Sequence, residues 1–381
     1  MPLFHIEGIN PEARLKKRSS RLWLIGLAAA VVVVLAIVAI PASRAAAQNS
    51  LGVLCPPFCM VTFNTPSIFN AASTETIEIR GLFNFILVTA GIIFVLVEGL
   101  LFFAVFRFRN RPPESAMQFH GNTKLELAWT AAPAVILAVL LGFTLQTMGQ
   151  VKAVAASNVL NVKAIGHQWW WEFRYPDQKI VTAEEMIVPV NTNIQVSIES
   201  NDVEHGFWVP ELFGKADAVP GYTNRVVFTP NTASQYYYGG QCTQFCGLQH
   251  AQMRFAVVVR TDEEFKNWVA HQQQPAAPPE SLTGDAAEGQ KLFASLPCIG
   301  CHTIDGTAAA GVIGPNLTHL ASHGFLAGGV LPNTPETMRA WIKDSQAIKP
   351  GNDMPSFSDP KGTNLSDAQV GQLVAYLTTL K

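Results

Sequence analysis

Cys242-Thr-Gln-Phe-Cys-Gly-Leu-Gln-His-Ala-Gln-Met253 is the stretch on which the reading of this chain turns. It offers two thiolates, an imidazole and a thioether, the soft and borderline ligands that copper prefers. A second imidazole, His205, stands upstream in Asp202-Val-Glu-His-Gly-Phe-Trp-Val-Pro210. One cysteine, two histidines and a methionine would describe a single blue-copper ion. The additional cysteine allows two thiolates, Cys242 and Cys246, to bridge two copper ions, with His205 on one and His250 on the other. Met253 and the backbone carbonyl of Gln244 are then the weak axial ligands. Such a binuclear site has no obvious open position for a substrate and suits electron transfer.

Three plainer readings compete with it. Ligand offsets of four, four and three also trace one stripe on a helix. Tyr236-Tyr-Tyr-Gly-Gly240 just before them reads as a strand entering a turn, and Gly247 interrupts the set, which speaks against a packed helix. Two cysteines and two histidines suit a structural zinc, for which methionine is a poor ligand. A disulfide between Cys242 and Cys246 is the third.

Outward from this stretch, residues 159–269 form short β-rich runs broken by turn residues. Asn193-Ile-Gln-Val-Ser-Ile198 alternates, Arg225-Val-Val-Phe-Thr229 is compact, and Arg254-Phe-Ala-Val-Val-Val259 has the look of a buried strand. A small β-sandwich or Greek-key barrel is expected over 150–270, with the ligands on loops between strands. Trp169, Trp170 and Trp171 lie in one run, and successive strand residues cannot all point inward, so at least one is expected at the surface.

Downstream, His271-Gln-Gln-Gln-Pro-Ala-Ala-Pro-Pro279 is a polar, proline-rich segment, read as a semi-rigid linker over 271–283. A third, all-α domain is expected over 284–381. Its signature is Cys298-Ile-Gly-Cys-His302, which reads as covalent attachment of one c-type haem through Cys298 and Cys301, with His302 as proximal ligand. Met354, in Asn352-Asp-Met-Pro-Ser356, is the candidate sixth ligand, giving a Met/His axial pair. Met338 lies in the helical Pro335-Glu-Thr-Met-Arg-Ala-Trp-Ile342 and suits the core better. Ser366 to Thr379 has helical spacing behind a serine cap.

Upstream, the chain reads as membrane-bound. Only 14% of residues are charged and the mean hydropathy is +0.20, low charge for a soluble protein. A net charge of −2 gives no reason to expect nucleic acid as a partner. Basic residues from Arg14 to Arg21, an apolar run from Leu22 to Ile40 and Ala45-Ala-Ala47 read as a signal peptide over 1–47. An uncleaved helix is the alternative. An extracytoplasmic segment over 48–81 contains Cys55-Pro-Pro-Phe-Cys59, with a disulfide permitted and no assigned role. Two spans, about Leu82–Phe106 and Leu127–Met148, form a hairpin over 82–149. Arg107, Arg109, Arg111 and Lys124 place the loop between them in the cytoplasm, so everything after Gly149 is outside. Glu98 lies within the first span, where an ionisable group is costly, and its role is open.

The ligand stretch, the His205 segment and Gly166-His-Gln-Trp-Trp-Trp171 together resemble subunit II of cytochrome c oxidase. With the haem motif added, the chain resembles the caa-type form, in which a cytochrome c is fused at the C-terminus. That resemblance covers nearly everything from residue 75 onward. It implies a cupredoxin fold and electron entry at Trp169. Glu126, at the cytoplasmic edge of the second span, would meet the entrance of a proton path in subunit I. Gly314-Pro-Asn-Leu317 is similar to the loop that packs on the proximal histidine of small cytochromes c. The expected role is to relay electrons from haem c through binuclear copper to the haem-copper subunit I of a bacterial cell membrane, which reduces oxygen to water with proton pumping. Subunit III, an electron-donating cytochrome or upstream respiratory complex, and membrane lipid are the further partners implied. An electron-donating subunit of a nitric oxide reductase, or a tethered redox or copper carrier, are the alternatives. Two departures from the family stand out: Gln244 replaces a glutamate that also reaches magnesium, leaving magnesium doubtful, and Pro220-Gly-Tyr222 replaces Pro-Gly-Arg.

Overall fold

A computed structural model gives the fold, and the described residues are 66–112, 121–152, 159–233, 238–276, 281–358 and 363–381. The expected signal segment and the Cys55/Cys59 pair lie outside them.

Two helices come first. Helix α1, Thr74–Phe108, and helix α2, Thr123–Lys152, are long and apolar enough to cross a bilayer. Each extends beyond the apolar run that marks it, because a helix continues into the polar boundary until a cap or turn stops it. Asn122 supplies that cap for α2: its Oδ1 accepts from the backbone N–H of Lys124 and Leu125, and the Glu126 carboxylate accepts from the Asn122 N–H. Glu126 is therefore one half of a capping arrangement.

The central region is a sandwich of two five-stranded sheets. Strands β1 (Val159–His167), β2 (Trp170–Tyr175), β3 (Ile180–Ala183), β5 (Asn193–Ser200) and β8 (Asn224–Phe228) form one sheet in the order β3-β2-β1-β5-β8. Strands β4 (Glu185–Pro189), β6 (His205–Trp208), β7 (Ala216–Ala218), β9 (Tyr238–Cys242) and β10 (Arg254–Arg260) form the other, ordered β4-β10-β9-β6-β7. In β5 the residues Ile194, Val196 and Ile198 are fully buried and alternate with more accessible ones, so one face packs inward. Strand β10 lies between β4 and β9 and is buried from Phe255 to Val259, which explains its unbroken apolar sequence.

Aromatic rings fill the space between the sheets. Phe207 and Phe255 stack with centroids 4.5 Å apart, and Trp171 meets Phe207 edge-on at 5.0 Å. Fully burying such a side chain contributes about 1.5–3 kcal/mol. A Cβ at residue 240 would lie 2.3 Å from the Phe255 ring, so only Gly240 lets β9 pass over it and deliver Cys242. The Tyr175 hydroxyl donates to the Ile187 carbonyl at 2.9 Å and accepts from the Ile187 N–H at 2.8 Å, tying the two sheets together.

Helix α3, Asp262–Gln272, follows β10 behind a capping box on Thr261. The C-terminal region is built from α4 (Gly284–Ser295), the single turn α5 (Cys298–Cys301), α6 (Pro335–Lys343), α7 (Ser345–Ile348) and α8 (Asp367–Leu377). Helices α4 and α8 cross closely at Gly289, where a Cβ would lie 1.9 Å from the Gln372 carbonyl. One departure from an all-α reading is a two-residue ladder, Phe325–Leu326 with Leu331–Pro332. The start of the proline-rich segment is packed rather than free. Ala276 is buried in the C-terminal core, its N–H donates to Asp305, and His319 Nε2 donates to the Gln274 carbonyl.

Candidate metal centre and haem site

Strand β9 ends on Cys242, and the chain then folds back so that β10 begins just after Met253. The Cys242 N–H donates to the Met253 carbonyl at 3.0 Å, which closes the ligand loop on itself. The Thr243 N–H donates to the Gly206 carbonyl at 3.0 Å and brings the loop against β6, where His205 is the first residue. A Cβ at residue 206 would strike Thr243 at 2.4 Å, so the close approach needs glycine.

The side chains converge. Cys242 and Cys246 sulfurs are 3.7 Å apart, too far for a disulfide bond of about 2.05 Å. Cys242 Sγ lies 3.9 Å from His205 Nδ1, and Cys246 Sγ lies 3.6 Å from His250 Nδ1. Met253 Sδ is 3.9 Å from Cys246 Sγ, and the Gln244 carbonyl is 3.3 Å from Cys242 Sγ. The ligand stretch forms no continuous helix, only a short 3₁₀ turn over His250–Gln252. Each sulfur is paired with its own imidazole, and a weak donor stands beside each pair. This donor set fits a thiolate-bridged copper pair and does not fit four-coordinate zinc, for which Met253 and the carbonyl would be surplus.

The surroundings prepare the donors. Asp202 sits three residues before His205, and its carboxylate binds His205 Nε2 at 2.7 Å, which turns Nδ1 toward Cys242. Burial opposes a charge on His205, yet Asp202 and Cys242 together raise its pKa. The Cys246 S–H against Cys242, with help from His205 and backbone amides, pulls the Cys242 thiol down to about 3. Cys246 is driven upward by its Cys242 neighbour and by burial.

The Gln244 amide oxygen accepts from the Lys215 ammonium at 3.4 Å.

The second site is an apolar cavity with about 1330 Å³ of empty space including its open mouth. Cys298, Cys301, His302, Met338 and Met354 line it. Turn α5 presents both thiols in one helical turn. The neighbouring chain is held tight, since a Cβ on Gly311 would meet the Cys301 backbone at 2.5 Å and one on Gly314 would meet the His302 ring at 2.7 Å. His302 Nδ1 donates to the Pro315 carbonyl at 2.8 Å, which fixes the tautomer that leaves the Nε2 lone pair free. Burial lowers the His302 pKa against the pull of that carbonyl, which keeps the ring neutral. The apolar walls, paired thiols and oriented imidazole fit a covalently held haem. Met338 is buried in α6 within the core, whereas Met354 is only partly buried on a loop, its N–H bonded to Asn352 and its carbonyl accepting from Ser345 and Gln346. That difference favours Met354 as the sixth ligand.

Trp169 corrects the expectation of an exposed tryptophan. It is 9% exposed, Trp171 is fully buried, and Trp170 is partly buried against the His167 ring at 4.3 Å. Trp169 escapes solvent because it lies between β1 and β2, outside the regular alternation, and forms part of the cavity wall. Its Nε1 donates to the Cys246 carbonyl at 3.0 Å. Sequence reasoning missed Gln168, Asp202, Glu184 and Lys349. Only Asp202, three residues from a candidate ligand histidine, carried a readable signal.

Comparison with known proteins follows the same division. Residues 63–146 match the transmembrane domain of cytochrome c oxidase subunit II, 179–261 its periplasmic domain, and 286–381 cytochrome c. A cytochrome c oxidase subunit 2 of Alkalihalophilus pseudofirmus is 31% identical over 303 residues, covering 77% of this chain and 85% of that protein. The subunit 2 of Bacillus subtilis is 33% identical over 300 residues, covering 74% and 82%. The crystallised periplasmic domain of subunit II from Bradyrhizobium japonicum is 34% identical, covers 32% of this chain and 97% of that one, and superimposes with a TM-score of 0.30.

Proposed function

Because the chain belongs to the cytochrome c oxidase subunit II family and carries a C-terminal cytochrome c domain, we propose that it relays single electrons inward from that domain. The route runs from haem c to a binuclear copper centre and on to a haem-copper subunit I, where oxygen is reduced to water with proton pumping. Copper and haem would supply the one-electron carriers. Residues of this chain supply their geometry. Cys242, Cys246, His205, His250, Met253 and the Gln244 carbonyl would hold the copper. Cys298 and Cys301 would tether the haem, His302 and Met354 would hold its iron, and Glu126 would stand where a proton path of the partner begins. The domain order is a signal segment, a two-helix anchor, a copper domain over 150–270 and a haem domain over 284–381, on the outer face of a bacterial membrane.

One observation carries this reading. Trp169 stands in the wall of the cavity that His302 and Met354 line, and its indole donates to the backbone of Cys246. A single side chain thus spans from one cofactor site to the other, and a cofactor partner on the same chain needs no diffusional encounter. Flash reduction of haem c in the purified chain tests it. Copper should be reduced in a first-order step whose rate is the same at every protein concentration. It should respond less to salt than docking of a separate cytochrome, whose approach is steered by exposed charge. A rate that rises with concentration would remove the intramolecular route.

A further inference from the structure

We propose that the turn Lys349–Asn352 is a latch that holds the haem-ligand loop against the copper domain, with Lys349 as its positioning residue. The inference rests on the electron-relay reading above and names what fixes the distance.

Lys349 is 2% exposed, an unusual place for an ammonium, and its Nζ leaves its own region to donate to the Trp169 carbonyl at 2.6 Å. A second bond at 3.0 Å goes to the Ala327 carbonyl, so one cation bridges the two domains. Glu184 reciprocates from the sandwich. Its carboxylate, on a residue 6% exposed, accepts from the backbone N–H of Gly328 and of Gly329. Glu184 does so from a left-handed backbone at φ 66°, a conformation that disfavours a residue with a side chain. Burial pulls the Lys349 pKa down to about 8, against the opposing fields of Glu184 and Cys246.

Both candidate cofactor loops feed into this turn. Gln249, next to His250, donates from Nε2 to the Pro350 carbonyl at 2.7 Å. Asn352 Nδ2 donates to the Lys349 carbonyl at 2.6 Å, and its Oδ1 accepts from the Met354 N–H at 2.8 Å. The Arg254 N–H, just after Met253, donates to the Gly328 carbonyl at 2.9 Å. Five residues of chain therefore connect Trp169 on one side to Met354 on the other. A residue at Gly328 with a Cβ would strike Lys349 Nζ at 2.3 Å, which shows how closely the ammonium is enclosed.

Lys349 and Glu184 are both buried and each is hydrogen-bonded across the boundary, so losing either side chain leaves buried partners unpaired there. Lys349→Met should release the haem domain from the sandwich without unfolding either. Hydrogen exchange of the full chain in detergent is the first readout. The amides of Gly328, Gly329 and Arg254 should lose at least tenfold of their protection, while those of α4 and α8 keep theirs. The second readout is flash-induced haem-to-copper transfer. It should slow at least tenfold and acquire a dependence on viscosity, because each transfer then waits for the domain to return, with both optical spectra unchanged. Combining Lys349→Met with Glu184→Gln should lower the protection of Gly328 and Gly329 further, since the carboxylate that accepts from both amides is lost as well. Lys349→Arg keeps the charge and should remain closer to the parent. Unchanged exchange at Gly328 and Gly329 in Lys349→Met overturns the latch, as does equal loss of protection in α4 and α8. Absence of haem-to-copper transfer in the unsubstituted chain would instead overturn the relay itself, and the exchange result would still decide the latch.

Discussion

The indole Nε1 of Trp169 and the carbonyl oxygen of Cys246 are joined by a 3.0 Å hydrogen bond, so an aromatic ring in the wall of one cavity touches the backbone of a candidate copper ligand. Gln168 Nε2 donates to the same carbonyl at 2.7 Å. Trp169→Phe removes the first bond and leaves the second, which preserves the ligand loop. Haem-to-copper transfer should slow at least tenfold, with the spectra of both centres intact. Flash reduction checks it, and an unchanged rate would take Trp169 out of the route.

Metal analysis of the purified chain should return two coppers. Oxidised, they should share one unpaired electron and give a seven-line hyperfine pattern. Cys246→Ser should abolish that pattern, because one bridging thiolate is lost. Gln244→Ala should leave it nearly unchanged, since only the carbonyl is placed near Cys242. One copper per chain, or zinc, would sink the binuclear reading.

Gly166→Ala tests how tightly His205 is packed. The added Cβ would lie 2.7 Å from His205 Cδ2, so the ring must shift from its present place beside Cys242. Overpacking of this kind costs about 1–3 kcal/mol. Copper content should fall, and a chain that keeps its full copper and its hyperfine pattern would show that the ring is free to shift.

Met354→Ala should remove the near-infrared sulfur-to-iron band and lower the haem potential. Met338→Ala should keep the band and destabilise the haem domain by about 2–5 kcal/mol, as a large-to-small change in a core does. Reversal of these two outcomes would reassign the ligand.

Two buried groups near one seam of the structure give stability opposite dependences on pH. Burial holds Glu185 up at about 7 from an ordinary 4.5, with its carboxylate bonded to the Gly324 N–H. Its contribution is full below pH 4.5 and is lost as pH rises through about 7. Burial, with His319 adding to it, holds His323 down at about 4 from 6.5. That contribution is full above pH 6.5 and is lost as pH falls through about 4. Each is worth about 3 kcal/mol at most, from about 1.4 kcal/mol per pKa unit. They offset one another in the chain as it stands. Urea titrations between pH 4.5 and 6.5 should find the slope of stability with pH more positive than the parent's in Glu185→Gln and more negative in His323→Gln. Identical slopes in the two variants would contradict the assignment.

Much of the site was legible in the sequence because its ligands are close in the chain. Cys242, Cys246, His250 and Met253 sit on one loop, so their offsets alone restrict which metal they can hold, and Cys298, Cys301 and His302 occupy a single turn and the residue after it. The sandwich was legible for a related reason, since the alternation in β5 and the apolar run of β10 report local burial. Glu126 shows the limit of that kind of reading. Its place at a span boundary suggested a partner, and the fold adds a local task in capping α2.

What the sequence determined by itself was therefore local: which candidate donors stand close together, where the Cys-x-x-Cys-His motif lies, and which runs are apolar enough to span a membrane. Only the tertiary structure decided that Trp169 is enclosed and that Lys349 and Glu184 cross between domains. Lys349 is 180 residues from Trp169 and Glu184 is 144 from Gly328, and neither carries a motif. Contacts at that separation are set by how folded surfaces meet. No periodicity or spacing along the chain encodes them, because each partner's own neighbours in sequence would be satisfied equally well in water.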